Sequence, residues 1–394
     1  MDDDDKTPIK EFDILKEKLE KQSLSDVTEQ IMKDLSLLKN TVLDIAITGM
    51  SGVGKSSFIN ALRGMTDYEE GAATIGTTQA TMEPKAYPHP TFPKVTLWDL
   101  PGIGTPQFES KKYLKKVNFP KYDFFIIVAS DRFTTHDVLL AREIQKMEKK
   151  FYYVRTKMDQ SIEAEKRDPN FKEEKTVEKI RKYCCDSLIE AGEFNPTVFL
   201  IFSWNLNKYD FPSLQETLEN ELDELKKYAL IAIMPAFSRE VLKKKKAAME
   251  SLIFKVALAS GVVGAVPIPG LSIACDLGIL AVTMIYFCNV FGLNEDSLCR
   301  LANHVGKPID VLKSAITKSS MASNITIKFV SDLLTKSLVH GPRKALKFSV
   351  DRIPVLGSLA GGGLSFVTTF YMLKSFLNDV EEDAENVQAK AAES

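Results

Sequence analysis

The chain has 394 residues, of which 44% are hydrophobic and 26% are charged, so it is long enough for two domains and has ample material for a buried core. Its formal net charge of −2 gives no electrostatic basis for nucleic-acid binding, and we expect no nucleic-acid partner. Five cysteines without a Cys-x-x-Cys spacing indicate reduced thiols and a cytoplasmic location.

The first part of the chain has the pattern of a helix. Residues 1–6 read Met-Asp-Asp-Asp-Asp-Lys, which resembles an engineered protease-recognition leader, and we exclude them from the fold. Over residues 7–40, apolar positions recur at helical spacing, beginning with Ile9, Phe12, Leu15 and Leu19. The sequence therefore predicts an N-terminal helical segment ahead of the first strand.

A phosphate-binding loop follows the first predicted strand. Residues 49–56 read GMSGVGKS between the apolar run 42–47 and a predicted helix, which is the setting that a Walker A motif needs. Glycines let such a loop wrap around a β-phosphate, and free amides at the helix start point at the anion. We expect Lys55 to reach the β- and γ-phosphates and the Ser56 hydroxyl to ligand Mg²⁺. Nucleoside triphosphate binding is predicted through Gly49, Met50, Ser51, Gly52, Val53, Gly54, Lys55, Ser56 and Ser57.

A second phosphate-site element ends the strand-like run 95–98 and reads Asp-Leu-Pro-Gly. We expect the Asp99 carboxylate to hold Mg²⁺ through water and the Gly102 N–H to sense the γ-phosphate. Ras-type enzymes orient the attacking water with a glutamine directly after this glycine, whereas this chain has Ile103. Catalysis must therefore come from Gln79, from main-chain groups, from the substrate's own phosphate, or from a second nucleotide-binding domain across a dimer.

The base is predicted by residues 156–159, which read Thr-Lys-Met-Asp after an apolar strand-like segment. The Asp159 carboxylate can accept hydrogen bonds from N1–H and the exocyclic amine of guanine, while the stem of Lys157 packs on the base. Adenine lacks that pair of donors and would leave the carboxylate desolvated and unmatched. Thr156, Lys157 and Asp159 therefore favour GTP and GDP over adenine nucleotides.

The wider pattern divides the chain into two kinds of structure. Residues 41–228 alternate near-continuous apolar runs with helical patterns, which is typical of a doubly wound sheet with parallel central strands. From residue 229 to 394 the sequence has the pattern of helices only, with long apolar stretches interrupted by Gly and Pro. We predict an α/β domain joined to an all-α domain.

Six sequence stretches between residues 42 and 228 resemble the immunity-related (interferon-inducible) GTPases. They are GMSGVGKSSFINALRG, EEGAATIGTTQATMEPKAYPHP, VTLWDLPGIGTPQF, YDFFIIVASDRF, FYYVRTKMD and KYDFPSL. The resemblance implies a dynamin-like design, in which a Ras-like P-loop GTPase domain joins a helical domain built from both chain ends. It also implies GTP-dependent self-assembly and peripheral action on intracellular membranes, including pathogen-containing vacuoles. Because it has lysine in GKS, the chain resembles the subclass of this family that retains an ordinary Walker A loop.

The resemblance also assigns further site residues and shows where this chain differs. Thr81 is the expected Mg²⁺- and γ-phosphate-sensing threonine of switch I, with Thr77 and Thr78 as alternatives. Gln79 stands where family members commonly carry glutamate, so its amide is the expected water-positioning group. Ser203 aligns with the family's guanine-cap element. With Lys55 and Gly102, the expected catalytic set is Lys55, Gln79, Thr81 and Gly102, and the expected metal ligands are Ser56, Thr81 and Asp99.

The helical part contains a long apolar segment. Residues 256–275 carry no charge, and Gly and Pro within 261–270 predict a turn between two apolar helices. Two interpretations stay open: a buried hairpin in the core, or a hairpin that contacts a membrane. The lysine run 243–246 is either a solvated helix face or a site for anionic headgroups.

Two functions fit these patterns. In the first, a GTP-hydrolysing enzyme self-assembles when GTP orders its switch segments, and the assembly coats an intracellular membrane in cell-autonomous innate immunity. In the second, a GTP-dependent switch or scaffold recruits partners in membrane trafficking or autophagy with little hydrolysis. Lys55, Ser56 and Asp99 favour the first, whereas Gln79 and Ile103 keep the second open.

Overall fold

The computed structural model divides into two compact units, of which one spans residues 41–235 and the other begins at Ala236 and also takes in residues 1–40. The structure describes residues 33, 40–75, 83–101, 113, 117–236, 238–263, 271–340 and 362–393. Side chains are described over these residues except at 258–263, 271–276, 338–340 and 362–367. Most of the predicted N-terminal segment 7–40 lies outside the described residues.

A six-stranded sheet forms the centre of the first unit. Its strands are β1 (Leu43–Gly49), β2 (Lys85–Pro88), β3 (Val95–Asp99), β4 (Phe124–Ala129), β5 (Lys150–Arg155) and β6 (Val198–Leu200). They lie in the order β2-β3-β1-β4-β5-β6, and only β2 is antiparallel to its neighbour. Every residue of β1 and β4 is buried, as expected for central parallel strands covered on both faces.

Six described helices of this unit lie between the strands or after the last one. They are α1 (Lys55–Leu62), α2 (Thr135–Lys146), α3 (Met158–Glu165), α4 (Glu173–Glu190), α5 (Phe211–Glu221) and α6 (Glu224–Ile233). A capping box begins α2, because Thr134 and Asp137 each bond the other's main chain. The predicted α/β class is confirmed, and α6 runs through the expected domain boundary at residue 228.

The strand register brings the predicted loops to one edge of the sheet. Ile47 of β1 pairs with Asp99 of β3, and Gly49 pairs with Val128 of β4. Ala129 of β4 in turn pairs with Arg155 of β5. Because the carboxyl ends of parallel strands meet at the same edge, the three sequence motifs emerge side by side at a topological switch point.

The second unit is helical in its described part. Its helices are α7 (Arg239–Val263), α8 (Leu271–Val290), α9 (Glu295–Val305), α10 (Ile309–Lys313), α11 (Ile327–His340) and α12 (Gly362–Ala392). The two longest, α7 and α12, make the most extensive helix–helix contact. An ion pair of 2.7 Å between Lys246 and Glu381 connects them. The predicted helical part is therefore present in addition to the α/β domain.

The apolar segment forms two helices. α7 ends at Val263 and α8 begins at Leu271, while the predicted turn between them lies outside the described residues. Among the described residues, one segment, Leu277–Val305, is long and apolar enough to cross a membrane by length and composition, and half of its most apolar window is buried. Core helices of soluble proteins meet the same criterion, so both interpretations of the segment stay open.

The lysine run is divided by the packing of α7. Lys243 is exposed, whereas Lys245 is buried and its Nζ donates a hydrogen bond of 2.7 Å to the carbonyl of Val290. Lys246 is bound to Glu381. The run as a whole is therefore not a solvated face, because two of its four ammonium groups are directed into the helical unit.

Candidate functional site

The phosphate loop takes a backbone path that its glycines permit. Gly49 has a φ of +146°, and a Cβ placed there would lie 2.1 Å from the carbonyl oxygen of Val128. Gly54, with a φ of +94°, is the N-cap residue immediately before α1, and among the described residues no side chain caps that helix. The first-turn amides of α1 therefore remain available for an anion, as the sequence predicts.

Lys55 lies beneath this loop in the first turn of α1. Its side chain is 7% exposed, and its Nζ donates hydrogen bonds to the carbonyls of Gly49 at 3.2 Å and Met50 at 3.0 Å. Burial lowers the pKa of the Lys55 ammonium, and the charge of Asp99 opposes this change. The Lys55 ammonium is therefore bonded to carbonyls of its own loop. A bound phosphate would compete with these carbonyls for the ammonium group.

The residues predicted to hold Mg²⁺ supply suitable donors. Asp99 ends β3 as a buried carboxylate, and its charge acts on Lys55 of the phosphate loop. Ser56 lies in the first turn of α1 with its side chain half-buried. A carboxylate and a hydroxyl are the hard oxygen donors that Mg²⁺ prefers beside phosphate oxygens, so these two residues fit the ion.

The predicted base-recognition loop is attached directly to the phosphate loop. Thr156 is buried, its amide donates to the carbonyl of Ala129 at 2.9 Å, and its hydroxyl donates to the carbonyl of Val53. Lys157 has a φ of 55° and starts α3, and its Cε lies 3.8 Å from the position of a Cβ on Gly54. The lysine stem therefore runs alongside the phosphate loop, as base stacking requires.

Asp159 lies in the first turn of α3, two residues after Lys157, and is half-buried. This placement leaves the carboxylate at the rim of the loop that carries Thr156. It is a suitable position for a group that accepts hydrogen bonds from a base edge. The assignment of Asp159 as the guanine-reading residue stays a prediction.

Arg155 is a supporting residue that the sequence pattern did not reveal. This last residue of β5 is buried, and its guanidinium donates to the carbonyl of Thr156 and, at 2.9 Å, to Ser161 of α3. Burial lowers its pKa, and the nearby thiol of Cys184 and the carboxylate of Asp131 act in the opposite direction. Arg155 thus holds both sides of the base-recognition loop.

Ser203 lies in the loop after β6, half-buried, and the exposed Trp204 follows it. The indole N–H of Trp204 donates a hydrogen bond of 3.2 Å to Asp67, which also accepts one of 2.9 Å from the buried Asn60 of α1. Asn60 bonds both main-chain groups of Ala73 as well. The loop that carries Ser203 is therefore connected to the segment after α1.

The predicted switch residues fall in parts of the chain without a description. Gln79, Thr81 and Gly102 lie outside the described residues, as do the alternatives Thr77 and Thr78 and the neighbouring Ile103. The described residues nonetheless bring Lys55, Ser56, Asp99 and the base-recognition loop to one edge of one sheet. A sheet of this order with these three loops defines a P-loop nucleotide-binding domain of the GTPase class.

Comparison with known proteins identifies the family. A family model described as interferon-inducible GTPase (IIGP) matches residues 10–391. Interferon-inducible GTPase 5 from Rattus norvegicus is 40% identical over 385 residues, which are 97% of this chain and 83% of that protein. Interferon-gamma-inducible GTPase 10 from Mus musculus is 34% identical over 376 residues, covering 95% and 87% of the two chains.

A solved structure of Toc33 from Arabidopsis thaliana in complex with Mg²⁺ and GMPPNP covers 46% of this chain and 81% of its own, with 16% identity and a TM-score of 0.31. That likeness is too low to bear on this chain. The family match spans nearly the whole sequence, so the chain belongs to the interferon-inducible GTPase family. It is a guanine-nucleotide-binding, GTP-hydrolysing enzyme of interferon-induced immunity.

Proposed function

We propose that this enzyme hydrolyses GTP as a self-assembling, dynamin-like GTPase, with Mg²⁺ held by Ser56 and Asp99 and with a second copy completing the nucleotide site. Its place of action is the cytoplasmic face of intracellular membranes, including pathogen-containing vacuoles, where it associates peripherally. Mg²⁺ supplies charge neutralisation of the phosphates when bound. The protein's own groups hold the nucleotide by the phosphate loop, Lys55 and the base-recognition loop.

The observation that carries self-assembly is a pair of exposed aromatic side chains beside the base-recognition loop. Trp204, which directly follows Ser203, is 68% exposed, and Tyr68 is 97% exposed. They belong to one connected surface, because the indole of Trp204 is bonded to Asp67, the neighbour of Tyr68. Large aromatics exposed together mark interaction surfaces, and we call this pair the aromatic rim.

A second copy is the partner that best fits the aromatic rim. Ile103 follows the Asp-Leu-Pro-Gly element and lacks a group that could orient water. A nucleotide site that lacks this group gains most from a partner that docks beside the nucleotide, as partner-supplied groups do in other GTPases. A face-to-face contact of two such domains would cover the rim and the nucleotide of each copy.

The test is the rate of GTP hydrolysis per molecule as a function of protein concentration, with light scattering recorded after GTP is added. We expect the rate per molecule to rise with concentration and scattering to appear with GTP. Replacing Tyr68 and Trp204 by serine should remove the rise. Phe194→Ser is the matched control, because Phe194 is 92% exposed and lies between α4 and β6, at the opposite edge of the sheet.

The outcomes separate two functions. A flat, negligible rate together with tight GTP binding would favour the alternative of a GTP-dependent switch or scaffold in membrane trafficking or autophagy. Lys55→Ala should abolish scattering, and scattering that persists would mean that the phosphate loop does not trigger assembly. Membrane action is tested separately, by co-flotation of the GTP-bound enzyme with anionic phospholipid vesicles, and protein that stays at the bottom of the gradient contradicts it.

A further inference from the structure

We infer that Tyr113 is a positioning residue for GTP: its hydroxyl fixes the Pro101 carbonyl, and so the peptide group that leads into Gly102, to the strand that carries the phosphate loop. This inference rests on guanine-nucleotide binding and hydrolysis, which the family gives, and on the predicted role of the Gly102 amide as γ-phosphate sensor. It is independent of self-assembly. Tyr113 joins the Walker A strand to the Asp-Leu-Pro-Gly element by two side-chain hydrogen bonds.

The geometry places one buried phenol between two motifs. Tyr113 is 9% exposed, and its Oη donates a hydrogen bond of 2.9 Å to the carbonyl oxygen of Pro101. The same Oη lies 2.9 Å from Oγ1 of Thr48, which is fully buried and immediately precedes Gly49. Burial raises the pKa of the Tyr113 hydroxyl, and the charge of Asp99 raises it further, so the phenol keeps its proton.

Counting protons fixes the direction of this chain of hydrogen bonds. A carbonyl oxygen only accepts, so the single proton of the Tyr113 hydroxyl is directed at Pro101. The hydroxyl of Thr48 must then donate to Tyr113 rather than accept from it. The order is Thr48 to Tyr113 to Pro101, and removing the phenol oxygen would leave a buried donor and a buried acceptor unsatisfied.

The hydroxyl takes over where the main-chain ladder ends. The amide of Leu100 still donates to the carbonyl of Ile47 at 2.9 Å, one residue beyond the end of β3. Among the described residues, Leu100 is the last of this segment that donates a main-chain hydrogen bond to β1. Tyr113 provides the next connection, from the side chain of Thr48 to the carbonyl of Pro101.

Fixing this carbonyl acts on the predicted γ-phosphate sensor. The Pro101 carbonyl and the Gly102 amide belong to the same peptide group, which is planar, so the direction of one determines the direction of the other. Without the phenol hydroxyl, this peptide group must be ordered when GTP binds, and the ordering lowers the affinity for GTP. GDP has no γ-phosphate and does not use this amide, so its affinity is unaffected.

The test compares Tyr113→Phe with a matched control, Tyr122→Phe. Tyr122 is also a buried tyrosine of this unit, and its hydroxyl donates to a main-chain carbonyl, that of Val117, at 3.0 Å. Both variants lose one buried hydroxyl and keep the ring. The dissociation constants for GDP and for GMPPNP are measured with Mg²⁺ at protein concentrations too low for self-assembly, and thermal unfolding is recorded for each variant.

We expect Tyr113→Phe to weaken GMPPNP binding by about tenfold, the upper value for one hydrogen bond, and to change GDP binding less than about twofold. Thr48→Val, which keeps the ring and the Pro101 bond, should shift the same ratio in the same direction by less. It serves as the test if Tyr113→Phe does not fold. Tyr122→Phe should leave the ratio unchanged.

A ratio of the two constants that stays at the unmutated value in Tyr113→Phe and Thr48→Val, with stability lowered as in Tyr122→Phe, overturns the inference and leaves Tyr113 a packing residue. Tighter GMPPNP binding also overturns it, because the hydroxyl would then hold the peptide group away from the nucleotide. Neither result depends on how the hydrolysis rate varies with concentration, so self-assembly stands or fails separately.

Discussion

The two units of this protein bury the same kinds of charge and use them differently. In the α/β unit, the buried Lys55 donates to two carbonyls of a loop that is built to bind phosphate. In the helical unit, the buried Lys245 donates to the carbonyl of Val290 at the end of α8, 2.7 Å away and with 1% of its side chain exposed. The last carbonyls of a helix have no partner within the helix, so Lys245 acts as a cap for this one.

The buried carboxylates differ in the same way. Asp99 ends β3 beside the phosphate loop as a buried carboxylate, and its charge acts on Lys55 of that loop. Asp383 of α12 accepts hydrogen bonds from the amides of Lys318 and Ser319, at 3.1 Å and 2.6 Å, and from the Ser319 hydroxyl at 2.7 Å. Burial of a charged group is therefore no sign of function by itself. Its role depends on whether its hydrogen-bond partners come from the protein or from a ligand.

Lys55→Ala should give the largest effect, because the buried charge of Lys55 is expected to serve GTP hydrolysis and not stability. We expect the hydrolysis rate to fall by about 100- to 1,000-fold, because a preorganised cation at the phosphates is lost. The free energy of unfolding without nucleotide should change little, since the loop carbonyls that Lys55 contacts can be solvated. A single-turnover assay and a urea titration measure the two quantities, and a rate within tenfold of the unmutated enzyme would contradict the assignment.

Asp383→Ala should give the reverse result. Removing a buried carboxylate that holds several main-chain amides is expected to destabilise the helical unit by about 3–5 kcal/mol. The GDP dissociation constant of the folded variant should stay within about twofold. Asp383→Asn keeps one acceptor oxygen, so its free energy of unfolding should lie between those of the unmutated protein and Asp383→Ala. An unfolding free energy equal to that of the unmutated protein would mean that the amides find other partners.

Asp159→Asn tests the base-recognition loop. An asparagine presents a donor to the base edge, where xanthine has a carbonyl and guanine an amine, so the preference should move from GTP to xanthosine triphosphate. The loss of one bidentate contact of about 1–3 kcal/mol corresponds to about 5- to 150-fold in the dissociation constant for GTP. Asp168→Asn, at an exposed position in the turn after α3, is the control. Unchanged preference would place guanine recognition elsewhere.

The smallest expected effect is a pH dependence from Lys245. Burial lowers the pKa of this lysine to about 7, below the ordinary value of 10.5 that applies in the unfolded chain. Above pH 7 the unfolded state binds the extra proton, so stability should rise with pH from 7 toward 10, by about 1 kcal/mol per pH unit or less. Lys245→Met should flatten this slope in urea titrations at several pH values, and an unchanged slope would contradict it.

Much of the α/β unit could be predicted because its signals are local. Each motif stands within a few residues of the strand that positions it, and the parallel register brings the motifs together wherever the strands have the expected order. Arg155, Trp204 and Tyr113 were missed for the opposite reason. Each lies in an ordinary strand, loop or helix pattern, and its partners Ser161, Asp67 and Pro101 are identified only by contact.

The helical unit was less predictable, since its pattern is apolar over long stretches.

The sequence alone determined the GTP-binding loops and the family, because backbone freedom at glycines and the chemistry of Lys55, Asp99 and Asp159 depend on residue type and spacing. Only the tertiary structure decided which buried charged groups have hydrogen-bond partners within the protein itself. The four lysines at 243–246 are identical in sequence, and packing of α7 against its neighbours buries one, pairs another and leaves Lys243 exposed. A buried charge takes its role from the groups around it, and those are brought together by folding.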